Sequence, residues 1–212
     1  MKTWLALGAV LPALAILYLG QPHFANTETR MHLAFVFQLL ALAALFIPAA
    51  KAAAGWLAEL GYTGRNYLIL LAALAAVYIV TYLFVAWYFR MEHDIKVWDY
   101  AVYWIKLVEG HTAMQQSIPH YFTMLQDSLS REYNNPAAFP LIPLATIFGF
   151  GFAGFVTSIL FAYFLPACLF LAIFTLRLSA LATGGKPGVA VLVGGMCLAA
   201  LCVPFLMPTM MG

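Results

Sequence analysis

The residues able to do chemistry are concentrated in one stretch. Six of the eight acidic residues lie between Glu92 and Glu132, together with three of the five histidines, His93, His111 and His120. A carboxylate there can accept a proton from an attacking hydroxyl or ligate a cation, and a neutral imidazole can do the same work. Against this stands the plain reading that an extramembrane loop is where charge escapes a desolvation cost. The histidines could meet Asp94 around a metal, yet their spacing follows no compact ligand motif and no HExxH occurs. No GxSxG occurs either, and Cys168, Cys197 and Cys202 all fall in apolar stretches, where a thiol is ordinarily a small buried hydrophobe.

The elements that must position this stretch are membrane helices. Of 212 residues, 65% are hydrophobic and 8% charged, whereas soluble domains carry about 25% charge. Apolar runs recur at lengths that cross ~30 Å of hydrocarbon at 1.5 Å per residue, and they lack the two-residue alternation of a membrane barrel. The fold class is therefore all-α, a polytopic membrane helical bundle of about five spans plus a half-inserted helix. The expected spans are Thr3 to Leu19, Met31 to Ala50, Asn66 to Tyr88, one within Phe139 to Leu176, and Val189 to Met207. The first ends in Gly20-Gln21-Pro22 without a small-x-small cleavage site, so it reads as a retained helix and not a secretory signal. Lys51 to Arg65 reads as a short connection. Phe139 to Leu176 is too long for one untilted crossing, and Gly149, Gly151 and Gly154 divide it into a short half-inserted helix and a full span.

Charge placement orients the spans. With the N-terminus in the cytoplasm, the inside holds Lys2, Lys51, Arg65, Arg177 and Lys186 against Glu59 alone, and the Arg177–Lys186 turn is unopposed. The outside holds five basic residues, Arg30, Arg90, Lys96, Lys106 and Arg131, against seven acidic ones. The positive-inside rule then puts the polar loop, residues 91–138, on the periplasmic or extracellular face, as in a multi-pass protein of a bacterial inner membrane. A formal net charge of +2 without any Lys/Arg-rich run argues against nucleic acid as a partner.

Within the loop, helical periodicity sets Trp98, Val102 and Ile105 on one face and Asp99, Tyr103 and Lys106 on the other, with Gly110 as the expected stop. Ile118, Tyr121, Phe122, Leu125 and Leu129 repeat at three- and four-residue spacing in a second helix. Both read as interfacial amphipathic helices against membrane lipid, forming a ledge from which Asp99 meets an amphiphilic substrate.

The run WDYAVYWIKLVEG resembles the first-loop signature of the polyprenyl-phosphate-dependent membrane glycosyltransferases of the GT-C class, and NNPAAFPLIPLATIFGFG is similar to the proline-containing segment that ends that loop. The resemblance covers residues 66–212, leaving 1–65 as two additional N-terminal helices, and it implies the N-terminal portion of a longer enzyme, the remainder being a partner. It implies a lipid-linked sugar donor, inversion at the anomeric carbon and Asp99 as catalytic base. Asp94 and Glu92 become the residues that would hold a divalent metal ion, Asp94 also serving in substrate binding. Tyr103, Lys106 and Arg131 become candidate substrate contacts, although an interfacial salt bridge or headgroup contact is an ordinary use of either cation. A transporter subunit or non-catalytic scaffold is the alternative. Transporters place ionisable groups at mid-span, and here they are confined to loops and span ends.

Overall fold

The computed structural model describes residues 2–62, 64–91, 97–130, 135–184, 188 and 191–198, the side chains of 2–9, 88–91, 97–100, 135 and 183 apart. It is 90% helical, with no strand among the described residues. Helix α1 (Lys2–Gly20) leads through a 3-10 turn, Gln21–His23, to α2 (Thr27–Glu59) and α3 (Gly64–Met91). Then come α4 (Val97–Gln116), α5 (Ile118–Ser128), a 3-10 turn at Asn135–Ala137, and α6 (Leu141–Phe148). Helix α7 (Phe152–Ile159) runs through a π turn, Leu160–Phe164, into α8 (Leu165–Thr183), and residues 191–198 are helical again. Among the described residues, three helical stretches, Thr27–Glu59, Gly64–Trp87 and Phe152–Ala182, are long and apolar enough to cross a membrane.

Local signals account for most boundaries. The Asn26 side chain accepts the Glu28 N–H at 2.8 Å, capping α2, and Glu28 adds a negative charge in the first turn. The connection expected at Lys51 to Arg65 is largely helix instead: α2 continues through Pro48 and an alanine-rich segment as far as Glu59. Alanine has the highest helix propensity, which sustains the run past a proline that costs one backbone bond. The stop is Gly61, at φ 81, where Tyr62 N–H bonds the Leu57 carbonyl at 3.1 Å and Gly61 N–H bonds Ala58 at 2.9 Å. These paired bonds are the left-handed glycine cap that ends many helices.

The chain folds into two compact units that interleave its halves: Met1–Ala49 with Tyr100–Ser158, and Ala50–Asp99 with Ile159–Gly212. Helix α1 and the first part of α2 belong to the first unit.

In the first unit, α5 packs inward. Ile118 and Tyr121 are buried, Phe122 meets Tyr18 of α1 and Phe37 of α2 edge-on at 5.7 and 6.0 Å, and Tyr121 stacks on Phe139 at 6.1 Å. The apolar face expected to rest on headgroups is thus largely spent on protein, because α1 and α2 supply aromatic partners. Leu129 falls just past the helix end and is exposed. Helix α6 ends at Gly149, φ 95, and α7 crosses its end so closely that a Cβ on Gly154 would lie 1.9 Å from the Gly149 carbonyl oxygen. The break expected from Gly149, Gly151 and Gly154 is present.

In the second unit, Trp56 lies 6.2 Å from Phe170, and the Arg177 guanidinium stands over the Trp56 ring at 5.0 Å while pairing with Glu59. Arg177 is therefore opposed by an acidic partner, in contrast to the sequence expectation, and the pair places the ends of α2 and α8 on one side. Tyr78 of α3 meets Phe161 of the π turn at 5.5 Å.

Candidate functional site

Helix α4 carries Asp99, Tyr103 and Lys106, and its mooring defines what the site can do. Asp99 lies in its first turn, heading a row completed by Tyr103, Lys106 and Gly110 at helical spacing. The Asp99 side chain is outside the described set; Glu92, His93, Asp94 and Arg131 lie outside the described residues altogether. Tyr103 is half-buried. Lys106 Nζ pairs with Glu109 one turn along at 3.4 Å, a partly solvated contact of the kind worth under about 1 kcal/mol. That is the ordinary salt-bridge use, and it leaves the ammonium close to the Asp99 row.

The row faces protein lower down the helix. Leu107, Gly110 and Met114 are buried, while Ile105 and Val108 are exposed. Gly110 does not stop α4, which continues to Gln116. It is a contact point: an added Cβ would meet Tyr121 Cε2 at 3.0 Å and Ile142 Cδ1 at 3.1 Å. Midway, Trp104 donates its indole N–H to the Phe150 carbonyl at 2.8 Å and stacks on Phe155. A half-buried indole that keeps its hydrogen bond fixes the helix rotation about its own axis.

The α4–α5 corner is closed by Gln21, which sequence reasoning passed over as loop. Its side chain is fully buried. Nε2 donates to the Gln115 carbonyl at 3.0 Å, with Met114 and Arg30 carbonyls at 3.4 Å, and Oε1 accepts the Ile118 N–H at 3.0 Å. Arg30 adds a bond from Nη1 to the Gln116 carbonyl at 3.4 Å, setting a cation at the negative end of α4. The end of one helix and the start of the next are thus satisfied by side chains from the α1–α2 segment, which lies on the same side of the unit as the corner. Ser117 caps α5 by accepting the His120 N–H at 3.3 Å. Replacing Gln21 with Leu strands two helix carbonyls and an N–H without partners and should destabilise the protein by about 2–4 kcal/mol, read as a lower unfolding midpoint.

A half-buried polar chain runs beside this corner, with Gln38 its buried end. His111 contacts Gln115 Nε2 through its own Nε2 at 2.7 Å and Thr146 Oγ1 through Nδ1 at 3.4 Å, and Thr146 reaches Gln38 Oε1 at 3.4 Å. The imidazole lies 4.4 Å from the Phe150 ring, and burial lowers its pKa from the ordinary value. His120 is exposed on α5. Among the described residues, no three His, Cys, Asp or Glu side chains come together as metal ligands. The signals that could have found these groups were faint: periodicity continuing past Gly110 through His111 and Met114, and one glutamine at the end of an apolar run.

Compared with family models, with curated proteins and with solved structures, the chain matches none.

Proposed function

We propose that the protein acts as a membrane glycosyltransferase that moves a sugar from a polyprenyl-phosphate donor to an extracytoplasmic acceptor with inversion. The observation that carries the reading is that helix α4, which bears Asp99 in its first turn, is moored along its length. Asp99 stands in the first turn of a helix fixed at Trp104, Gly110 and its C-terminal carbonyls, shortly after the long apolar helix α3. A base at that level meets a substrate whose reacting group sits at the headgroups while its tail stays in lipid. Asp99 takes the proton from the acceptor hydroxyl as its oxygen attacks the anomeric carbon. The bond from that carbon to the lipid phosphate breaks, and the phosphate leaves with the electron pair. Lys106, Arg131 and Tyr103 are the candidate contacts for the phosphate and sugar. Glu92 and Asp94 are the residues that would hold a divalent ion, and no step here depends on one.

The reading includes five spans, a half-inserted α6 and a polar loop facing the periplasm of a bacterial cell. The direct test is transfer of labelled sugar from a polyprenyl-phosphate donor in membranes carrying the protein. Absence of both transfer and donor binding returns the chain to the scaffold reading. Topology has its own check. In a background with the native cysteines replaced by alanine, His23→Cys and His120→Cys should label with an impermeant maleimide from outside, and Arg65→Cys only after the membrane is opened. Labelling of His23→Cys and His120→Cys from different sides overturns the arrangement.

A further inference from the structure

The half-buried imidazole of His111 takes no part in the proposed transfer, and its hydrogen-bond partners define its protonation. An amide nitrogen only donates, so the 2.7 Å contact from Gln115 Nε2 requires a lone pair on His111 Nε2. The ring hydrogen is then on Nδ1, and it faces Thr146 Oγ1 at 3.4 Å. Thr146 can receive it because its own hydrogen serves the Ile142 carbonyl at 2.9 Å, with Gln38 Oε1 at 3.4 Å as the alternative acceptor. The site accommodates neutral imidazole in one tautomer. A second ring proton would set an N–H against an amide NH2, with no acceptor at Nε2 unless Gln115 turns over.

We propose that His111 is a proton-released latch that holds the last turns of α4 against α6 and α2 when neutral and frees the α4–α5 corner when protonated. The coupling is short. Gln115, which must move to accommodate the new N–H, offers its backbone carbonyl to Gln21, the residue that closes the corner. Thr146 and Gln38 sit on α6 and α2, so the same event loosens three helices.

Titratable groups near the imidazole are few. Helix α6, the loop to Phe150 and α7 contain none. On α4, Lys106 and Glu109 pair with each other; α5 brings Tyr121, buried beneath Gly110, and the exposed His120; on α2 the nearest to Gln38 in sequence is His32. Desolvation depresses the His111 pKa, so the sign is fixed. The latch is closed at neutral pH; its stability begins to fall as pH drops through about 6.5, where an unfolded chain already takes up the proton, and opening of the folded protein requires a pH lower than that.

The test uses the whole protein in lipid nanodiscs and rests independently of any glycosyltransferase activity. Nitrogen NMR of labelled histidine should show His111 neutral with its hydrogen on Nδ1 at pH 7.5. Amide hydrogen exchange over residues 111–121, corrected for the intrinsic pH dependence and referenced to α3, should accelerate at least tenfold between pH 7.5 and 5. His111→Gln should abolish that acceleration and His120→Gln should keep it. A hydrogen on Nε2, or exchange that stays flat in the wild type, overturns the proposal, as does a His111→Gln protein with the wild-type response. If His111→Gln does not fold, the tautomer and the wild-type exchange profile decide the matter.

Discussion

Asp99→Asn should lower sugar transfer by about 10²- to 10⁴-fold, the usual contribution of a positioned general base. Asparagine keeps the shape of the side chain and loses the ability to take a proton, so the loss should fall on kcat, with KM for the lipid donor nearly unchanged. A variant that binds donor poorly would instead assign Asp99 to binding. Asp99→Glu should recover part of the rate. Lys106→Ala supplies a scale, because its ammonium is already engaged by Glu109 at 3.4 Å; its effect should stay within about tenfold. Full transfer by Asp99→Asn sinks the catalytic assignment, whatever the neighbouring variants do.

Gly154→Ala should be the most damaging single methyl in the first unit. The new Cβ would stand 1.9 Å from Gly149 O, 2.6 Å from Gly149 C and 2.7 Å from Phe148 O, all of them backbone atoms. A side chain can rotate away from such an intrusion, whereas a helix terminus has to be pushed aside. The end of α6 is held at Gly149 with φ 95 and ψ 160, a backbone conformation open essentially to glycine alone, which leaves little freedom to give way. The expected cost exceeds ~3 kcal/mol, the upper part of the range for inserting a methyl into a packed interior. Thr146 and Ile142, which hold His111 and cover Gly110, belong to the displaced helix. Gly151→Ala is the matched control: nothing lies within 4 Å of its added Cβ, and it should unfold near the wild-type temperature. Unfolding followed by near-ultraviolet circular dichroism in micelles compares the two, and a Gly154→Ala midpoint equal to that of Gly151→Ala would refute the close packing.

What the sequence made legible is what hydropathy and local chemistry encode. The long apolar helices, the glycine break before α7 and the two helices in the polar stretch each depend on neighbours within a few residues. Gly110 misled because a glycine inside a helix is equally a stop signal and a place where another chain comes close, and only the positions of Tyr121 and Ile142 decide between them. The reach of α2 to Glu59 misled in the opposite way, since Pro48 and Gly55 look like punctuation while alanines carry the helix through. Gln21 was out of reach for a different reason. Its partners lie 94 and 97 residues away in the chain, and nothing in a single glutamine announces that it will serve as the cap of two distant helices. The interleaving of the two units has the same origin. For the chemistry, Glu92, Asp94 and Arg131 fall outside the described residues, so that part of the candidate site rests on sequence alone.

The Gln21 clamp also bears on how the protein is made. Synthesis is vectorial, with N-terminal segments available to fold first. Gln21 and Arg30 therefore leave the ribosome before the carbonyls and N–H that they satisfy, and a template for the α4–α5 corner is already in the membrane when those helices emerge. A chain deprived of its first thirty residues would still produce α4 and α5, but it would bring them out with polar backbone ends and no partner for them. Supplying residues 1–49 as a separate polypeptide should restore the yield of the shortened chain, making the opening segment an intramolecular chaperone for the unit that it then remains part of.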